Sequence, residues 1–224
     1  MARQIHISRI LNPVGSFTGV VTSNLALQHF RAAELFRDQV KQIENSHHSE
    51  EFGPFFDDIR SYCIACVLTS VASMETLINE LFLDPGTGLR QLVSDFENVF
   101  WERGGIEWWP ILDKYQYALK LRNAKLLDKG GPLYQNAAAL IELRNFLTHY
   151  KPAREPETQR VVRLEELLKG KFALSPFPDA GADFVAKRCM SAGAAQWAVE
   201  TSRALIREFY SRTGLGAKKL TAFF

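Results

Sequence analysis

Apolar residues recur at spacings of three and four over most of the chain beyond its first twenty residues, which predicts helix almost throughout. Between residues 23 and about 46, Phe30, Ala33, Phe36, Val40 and Ile43 form one stripe, and Arg31, Glu34, Arg37, Asp38 and Lys41 take the other face. A second stripe begins after Pro54, a residue suited to a first helical turn, and runs to about residue 84. Its positions are Phe55, Ile59, Cys63, Cys66, Val67, Ser70, Met74, Leu77 and Leu81, widened by Ile78 and Phe82. At 1.5 Å per residue this helix is roughly 45 Å long. Asp84-Pro85-Gly86 stops it, and Leu92, Val93, Phe96, Val99 and Phe100 predict a third helix from residue 89 to about 103.

The same reading continues to the end of the chain. Gly104-Gly105 and Pro110 bracket a Trp108-Trp109 loop, followed by a short helix over 111–121. Gly130-Gly131-Pro132 introduces a helix over 133–150 that Lys151-Pro152 closes. A charged helix over 154–169, a loop over 171–181 with Pro176 and Pro178, and a last helix from about 184 to 212 complete the pattern. Before all of this, β-branched residues between 4 and 11, broken by Asn12-Pro13 and Gly15, read as an extended arm or a short hairpin. The expectation is an all-α, up-and-down helical bundle of about five to seven helices. It forms one domain over 23–213, with a short extended N-terminal arm over 1–22 and a C-terminal tail over 214–224.

Composition narrows the class. A chain of 224 residues that is 46% hydrophobic buries a core without disulfide staples. No aliphatic run approaches the roughly 18 residues of a membrane span, and the opening MARQIHISRI has no apolar segment of the signal-peptide kind. Three cysteines, an odd number, argue for a reducing compartment, so a cytoplasmic protein without membrane partners is expected. The net charge of +2 hides an asymmetry. Residues 1–109 hold 8 Lys+Arg against 14 Asp+Glu, and residues 110–224 hold 19 against 11. A polyanionic partner would therefore meet the C-terminal half, although bundles also acquire uneven charge without purpose.

One segment carries chemistry: Leu140-Ile-Glu-Leu-Arg144-Asn145-Phe-Leu-Thr148-His149-Tyr-Lys151-Pro152. On a helical wheel with Leu140 at zero, Leu143, Phe146, Leu147 and Tyr150 fall between about 240° and 340°, facing the core. Arg144, Thr148, Asn145, His149 and Glu142 fall between about 40° and 200°. Pro152 places His149 in the last turn, where the helix dipole favours imidazolium. An imidazole beside a fixed guanidinium suits acid–base chemistry on a phosphodiester: one moves the proton, the other binds the phosphorane oxygens. Arg and His are also ordinary at helix C-termini. An Arg-Asn-x3-His match arises by chance about 0.01 times in a chain of this composition, so the combination is more specific than its parts.

Arg144-Asn145-x3-His149 resembles the hallmark of the HEPN superfamily, the higher eukaryotes and prokaryotes nucleotide-binding domain. In the long helix, Glu75-Thr-Leu-Ile-Asn79 resembles the Glu/Asn segment of several HEPN families, with both residues on one helix face. The resemblance covers about residues 23–152 and leaves out the arm and the insertion around 101–110. It implies a homodimeric, metal-independent endoribonuclease or an inactive relative, with no cofactor and no metal site, built around a composite cleft of paired Arg–His helices. His149 would move the proton at the 2′-hydroxyl or the leaving 5′-oxygen, Arg144 would stabilise the transition state, and Asn145 would orient imidazole or phosphate. The product would be a 2′,3′-cyclic phosphate. Glu75, Asn79 and Thr148 would support the site, and Lys120, Arg122, Lys151 and Arg154 would steer RNA. The alternative is a non-catalytic nucleotide-binding or protein-interaction module in a defence, toxin or stress system, with a regulatory partner protein. Toxin members controlled by tyrosine modification carry Tyr two residues after the His; here that residue is Lys151, and Tyr150 comes first.

Other features read more plainly. Cys63-x-x-Cys66 sits in an apolar stripe and reads as core rather than as a redox or zinc motif. His47-His48 with Glu50 and Glu51 reads as a solvated loop before a metal site. Trp101, Trp108 and Trp109 either cover an apolar edge, the reading preferred, or stack on bases.

Overall fold

A computed structural model describes residues 25–150, 155–178 and 182–215, with backbone only for 155–158. The proposed N-terminal arm lies outside the described residues, as does the tail beyond Leu215. Among the described residues every regular element is helical, in agreement with an all-α bundle. The long helices are α1 (Leu25–Ser46), α2 (Phe56–Leu83), α5 (Ile111–Leu121), α6 (Pro132–Thr148), α7 (Glu155–Leu168) and α8 (Ala192–Thr213), with two short ones, α3 (Leu89–Leu92) and α4 (Phe96–Trp101).

α2 is the central helix because its apolar residues form two adjacent stripes. Ile59, Cys63, Cys66, Val67, Val71, Met74, Leu77, Ile78, Leu81 and Phe82 are all buried, against α1, α8, α6 and α5. α1 runs antiparallel to it: the Leu25 N–H reaches Glu80 at one end, and the Ala33 carbonyl lies 3.3 Å from Cys66 Sγ further along. α8 runs parallel, since Cys63 meets Ser191 and Cys66 meets Ala195. Small residues at Ala33, Cys66 and Ala195, all buried, permit this approach of three helices. By length and composition α2 is the one helix among the described residues apolar enough to cross a membrane, and half of its most apolar window is buried inside the bundle.

Two expected helices are interrupted. The single helix expected over 89–103 is split after Leu92, because Asp95 adopts a left-handed backbone (φ 51°) and receives a hydrogen bond from Asn98 Nδ2. Asp tolerates this conformation better than most residues and competes with the helix for hydrogen bonds. Leu89, Val93, Phe96 and Phe100 are buried all the same, so helical spacing survives a broken backbone. The last helix begins at Ala192, not near 184, preceded by a π-helical turn over Phe184–Arg188. Ser191 caps it by accepting from the Ala194 N–H, while its hydroxyl donates to the Ala173 carbonyl at 2.7 Å. Gly193 is required beside it: a Cβ there would lie 2.5 Å from the Ala173 oxygen.

α6 starts with Pro132 at its first turn and buries Ala137, Ala139, Leu140, Leu143 and Phe146. The helix ends at Thr148, with His149 as its cap (φ −115°, ψ 31°). Tyr150 therefore leaves the helical register and is exposed, its ring edge-on to Phe146, where continued periodicity placed it in the core.

Candidate functional site

The RNxxxH segment occupies the last turn and a half of α6, and its residues part company there. Arg144 is half-buried, with Nη2 3.3 Å from Glu75 Oε2 across the α2–α6 packing. Its Nε is buried and has no hydrogen-bond partner among the described residues. The Glu75 position of the Glu/Asn pair thus faces the arginine helix. Asn79 does not: its Oδ1 accepts from Lys114 Nζ at 2.9 Å. Thr148 donates to the Arg144 carbonyl at 2.8 Å and so serves its own helix backbone, not the guanidinium. The Asn145 carbonyl accepts the His149 N–H at 3.0 Å, which closes the helix.

Arg144 and Asn145 line a cavity of about 440 Å³ shared with Glu75, Tyr134, Trp108 and Trp109. His149 is exposed at the helix cap and is not among the lining residues. Within one chain the guanidinium and the imidazole are therefore presented on neighbouring surfaces, five residues apart, and not in one pocket. Lys120 and Arg122 are exposed at the far end of α5 from the cavity, whose α5 residues belong to the first turn. Lys151 and Arg154 lie outside the described residues.

Sequence reasoning missed Lys114. It is fully buried on the inner side of α5, among Ile111, Tyr115 and Ala118, and donates to Asn79 Oδ1 and to the Glu107 carbonyl at 2.8 Å. Burial holds its ammonium below the ordinary lysine range, opposed by the nearby carboxylates of Glu75 and Glu107. Glu75 is consequently an anion between two cations, Arg144 and Lys114. A lysine at a stripe position of an amphipathic helix was the available signal.

Two of the three tryptophans behave against the preferred expectation of burial. Trp101 and Trp108 are exposed, Trp108 by 67%, whereas Trp109 is half-buried, donating from Nε1 to the Gly104 carbonyl and lying edge-on to Tyr117. The cysteines are core residues as expected: Cys63, Cys66 and Cys189 are free and buried, and burial pushes the Cys63 and Cys66 thiols up to about 12. The His47 ring stacks on Phe55 at 4.1 Å, and its Nδ1 lies 2.9 Å from Glu50. No group of three or more metal-ligating side chains occurs among the described residues.

Comparison of the chain with protein-family models, with curated proteins and with solved structures finds no match.

Proposed function

We propose that this chain is a metal-independent endoribonuclease of HEPN type that works as a homodimer. The observation that carries the reading is the end of α6: Arg144 anchored by Glu75 yet partly open to solvent, and His149 exposed five residues later, both accessible to a second copy. Transphosphorylation of RNA needs a base for the 2′-hydroxyl and an acid for the leaving 5′-oxygen. One chain offers one imidazole at this face, and a partner's α6 supplies the second. The 2′-oxygen attacks phosphorus, the P–O5′ bond breaks, one imidazole takes the 2′-hydroxyl proton, and the other imidazolium protonates O5′. Arg144 meets the charge that develops on the non-bridging oxygens through the part of its side chain that stays open to solvent. Asn145 stands beside it to orient phosphate or imidazole. Basic residues of the C-terminal half, Lys120, Arg122, Lys151 and Arg154 among them, attract the RNA backbone.

The test is incubation of single-stranded RNA with purified protein in EDTA. The expected result is fragments with 2′,3′-cyclic phosphate ends, reduced at least 100-fold by His149→Ala and by Arg144→Ala. Equal cleavage by the His149→Ala protein ends the proposal. A second reading, a non-catalytic nucleotide-binding module in a cytoplasmic defence or stress system with a regulatory partner, is favoured by one observation. His149 stands outside the cavity that Arg144 and Asn145 line. Salt-sensitive RNA binding without cleavage selects that reading.

A further inference from the structure

The insertion between α4 and α5 lies outside the resemblance to HEPN proteins, yet it forms one wall of the cavity beside Arg144. Its central feature is Trp108, whose side chain is among the most exposed of the large apolar groups. No ring packs on it among the described residues. An exposed indole on a slack loop would mean little. This one sits on a braced turn. Gly105 lies so close to the end of α4 that a Cβ would come 2.5 Å from the Val99 oxygen and 2.8 Å from that of Phe100. Ile106 is fully buried, and the Glu107 carbonyl is held by the buried Lys114 ammonium at 2.8 Å. On the other side Trp109 is tied to Gly104 and packed against Tyr117. The residues on both sides of Trp108 are thus fixed to the bundle, and the indole between them is held out over the cavity.

We propose that this cavity is a subsite for a nucleobase, stacked on Trp108, next to the phosphate that Arg144 receives. The inference rests on the reading of the α6 face as an RNA site and names how the strand is held there. Stacking on an indole suits any base, since each presents a π-face, and it requires the base to be free of a duplex partner. Tyr134 supplies a second aromatic wall, and the Asn145 amide carries both a donor and an acceptor for a base edge. A cavity of about 440 Å³ falls within the usual range for ligand sites. Single-stranded RNA is therefore the substrate class, and double-stranded RNA is excluded from this contact. Lys114 acts here as a positioning residue, through the carbonyl that precedes Trp108.

The experiment uses the full chain carrying His149→Ala, which holds RNA intact, and a fluorescently labelled single-stranded oligoribonucleotide read by anisotropy. Adding Trp108→Ala weakens binding about tenfold, Trp108→Phe restores most of it, and Trp101→Ala leaves it unchanged. Because Trp108 is exposed, its removal does not threaten folding. Gly105→Ala, which displaces the turn while keeping the indole, weakens binding as well. The duplex of the same sequence binds at least tenfold more weakly than the single strand. Adenosine monophosphate serves as the second probe: binding as tight as the oligonucleotide's assigns the subsite to free nucleotides, and much weaker binding assigns it to a strand. Equal affinity of the Trp108→Ala and parent proteins, or no binding of either probe, overturns the subsite. The two readings fail separately. Cleavage by the unmodified chain that depends on His149 but keeps its KM in Trp108→Ala removes the subsite and leaves the nuclease. Trp108-dependent binding without cleavage does the reverse.

Discussion

The two halves of α2 live in different chemistry. From Ile59 to Val71 the helix meets α1 and α8 through apolar side chains, small residues and sulfur. From Glu75 to Glu80 each polar side chain that turns inward has a distant partner: Glu75 with Arg144, Asn79 with Lys114, and Glu80 with the first N–H groups of α1. The first half is shaped to be closed and the second to be charged, and the candidate site is found only along the second. A helix half that adds inward-facing charges to a buried apolar stripe carries a desolvation cost that apolar packing alone does not. The charges there hold other groups in place, Arg144 and the Trp108 turn.

The largest effect that tests this division is alkaline unfolding. Cys63 and Cys66 belong to the closed half, and burial raises each thiol from its ordinary 9.0 to about 12. The native state keeps these protons while the unfolded chain releases them above pH 9. The thiols' contribution to stability is complete below pH 9 and is lost as pH rises towards 12. Between pH 9 and pH 11 each thiol removes about 2 kcal/mol. Urea titrations across that interval follow the loss, and the Cys63→Ala/Cys66→Ala protein, though less stable at pH 7, shows a flatter decline. An unchanged slope would mean that the sulfurs reach water, and the closed half would not be closed. Ile59→Ala probes the same half at neutral pH. It is expected to cost about 3 kcal/mol, as for other fully buried aliphatic side chains, and to leave RNA binding per folded molecule unaltered.

Lys114→Met comes next, and it probes the charged half. Methionine keeps the length and fills the volume, but the Asn79 oxygen and the Glu107 carbonyl lose their donor. Destabilisation of about 1–2 kcal/mol is expected, together with a loss of oligonucleotide affinity as the Trp108 turn loosens. A protein equally stable and equally tight for RNA would show that Lys114 positions nothing.

These residues also mark where the sequence was legible. The stripes of α1, α2 and α5 were readable to within a residue or two, because burial on one face leaves a period of 3.6 in any helix. The breaks at Asp95 and before Ser191 were not. The first depends on one left-handed residue inside a stripe that keeps its helical spacing. The second depends on the backbone of Ala173 pressing on Gly193, a contact across twenty residues with no local trace. In the site, Arg144 and Glu75 were legible as members of a pattern. That Asn79 turns to α5, that Trp108 is exposed and that His149 lies outside the cavity are properties of tertiary packing. Lys114 is the instructive miss: a cation within an apolar stripe violates the pattern, and the violation is the signal.

The smallest expected effect falls on the pair that joins the two helices of the site. Glu75 and Arg144 are 3.3 Å apart, and both keep part of their side chains in water. An ion pair of that kind contributes less than about 1 kcal/mol to stability. Glu75→Gln keeps an acceptor for the guanidinium, removes the one carboxylate between two cations, and leaves the site more positive. Stability measured by urea unfolding should therefore fall by less than about 1 kcal/mol. RNA affinity should rise a few-fold at low salt and return to the parent value as salt increases. A loss of several kcal/mol would show instead that Arg144 belongs to the core. The guanidinium would then be a strut between α2 and α6, unavailable to a phosphate, and the charged half of α2 would be structural throughout.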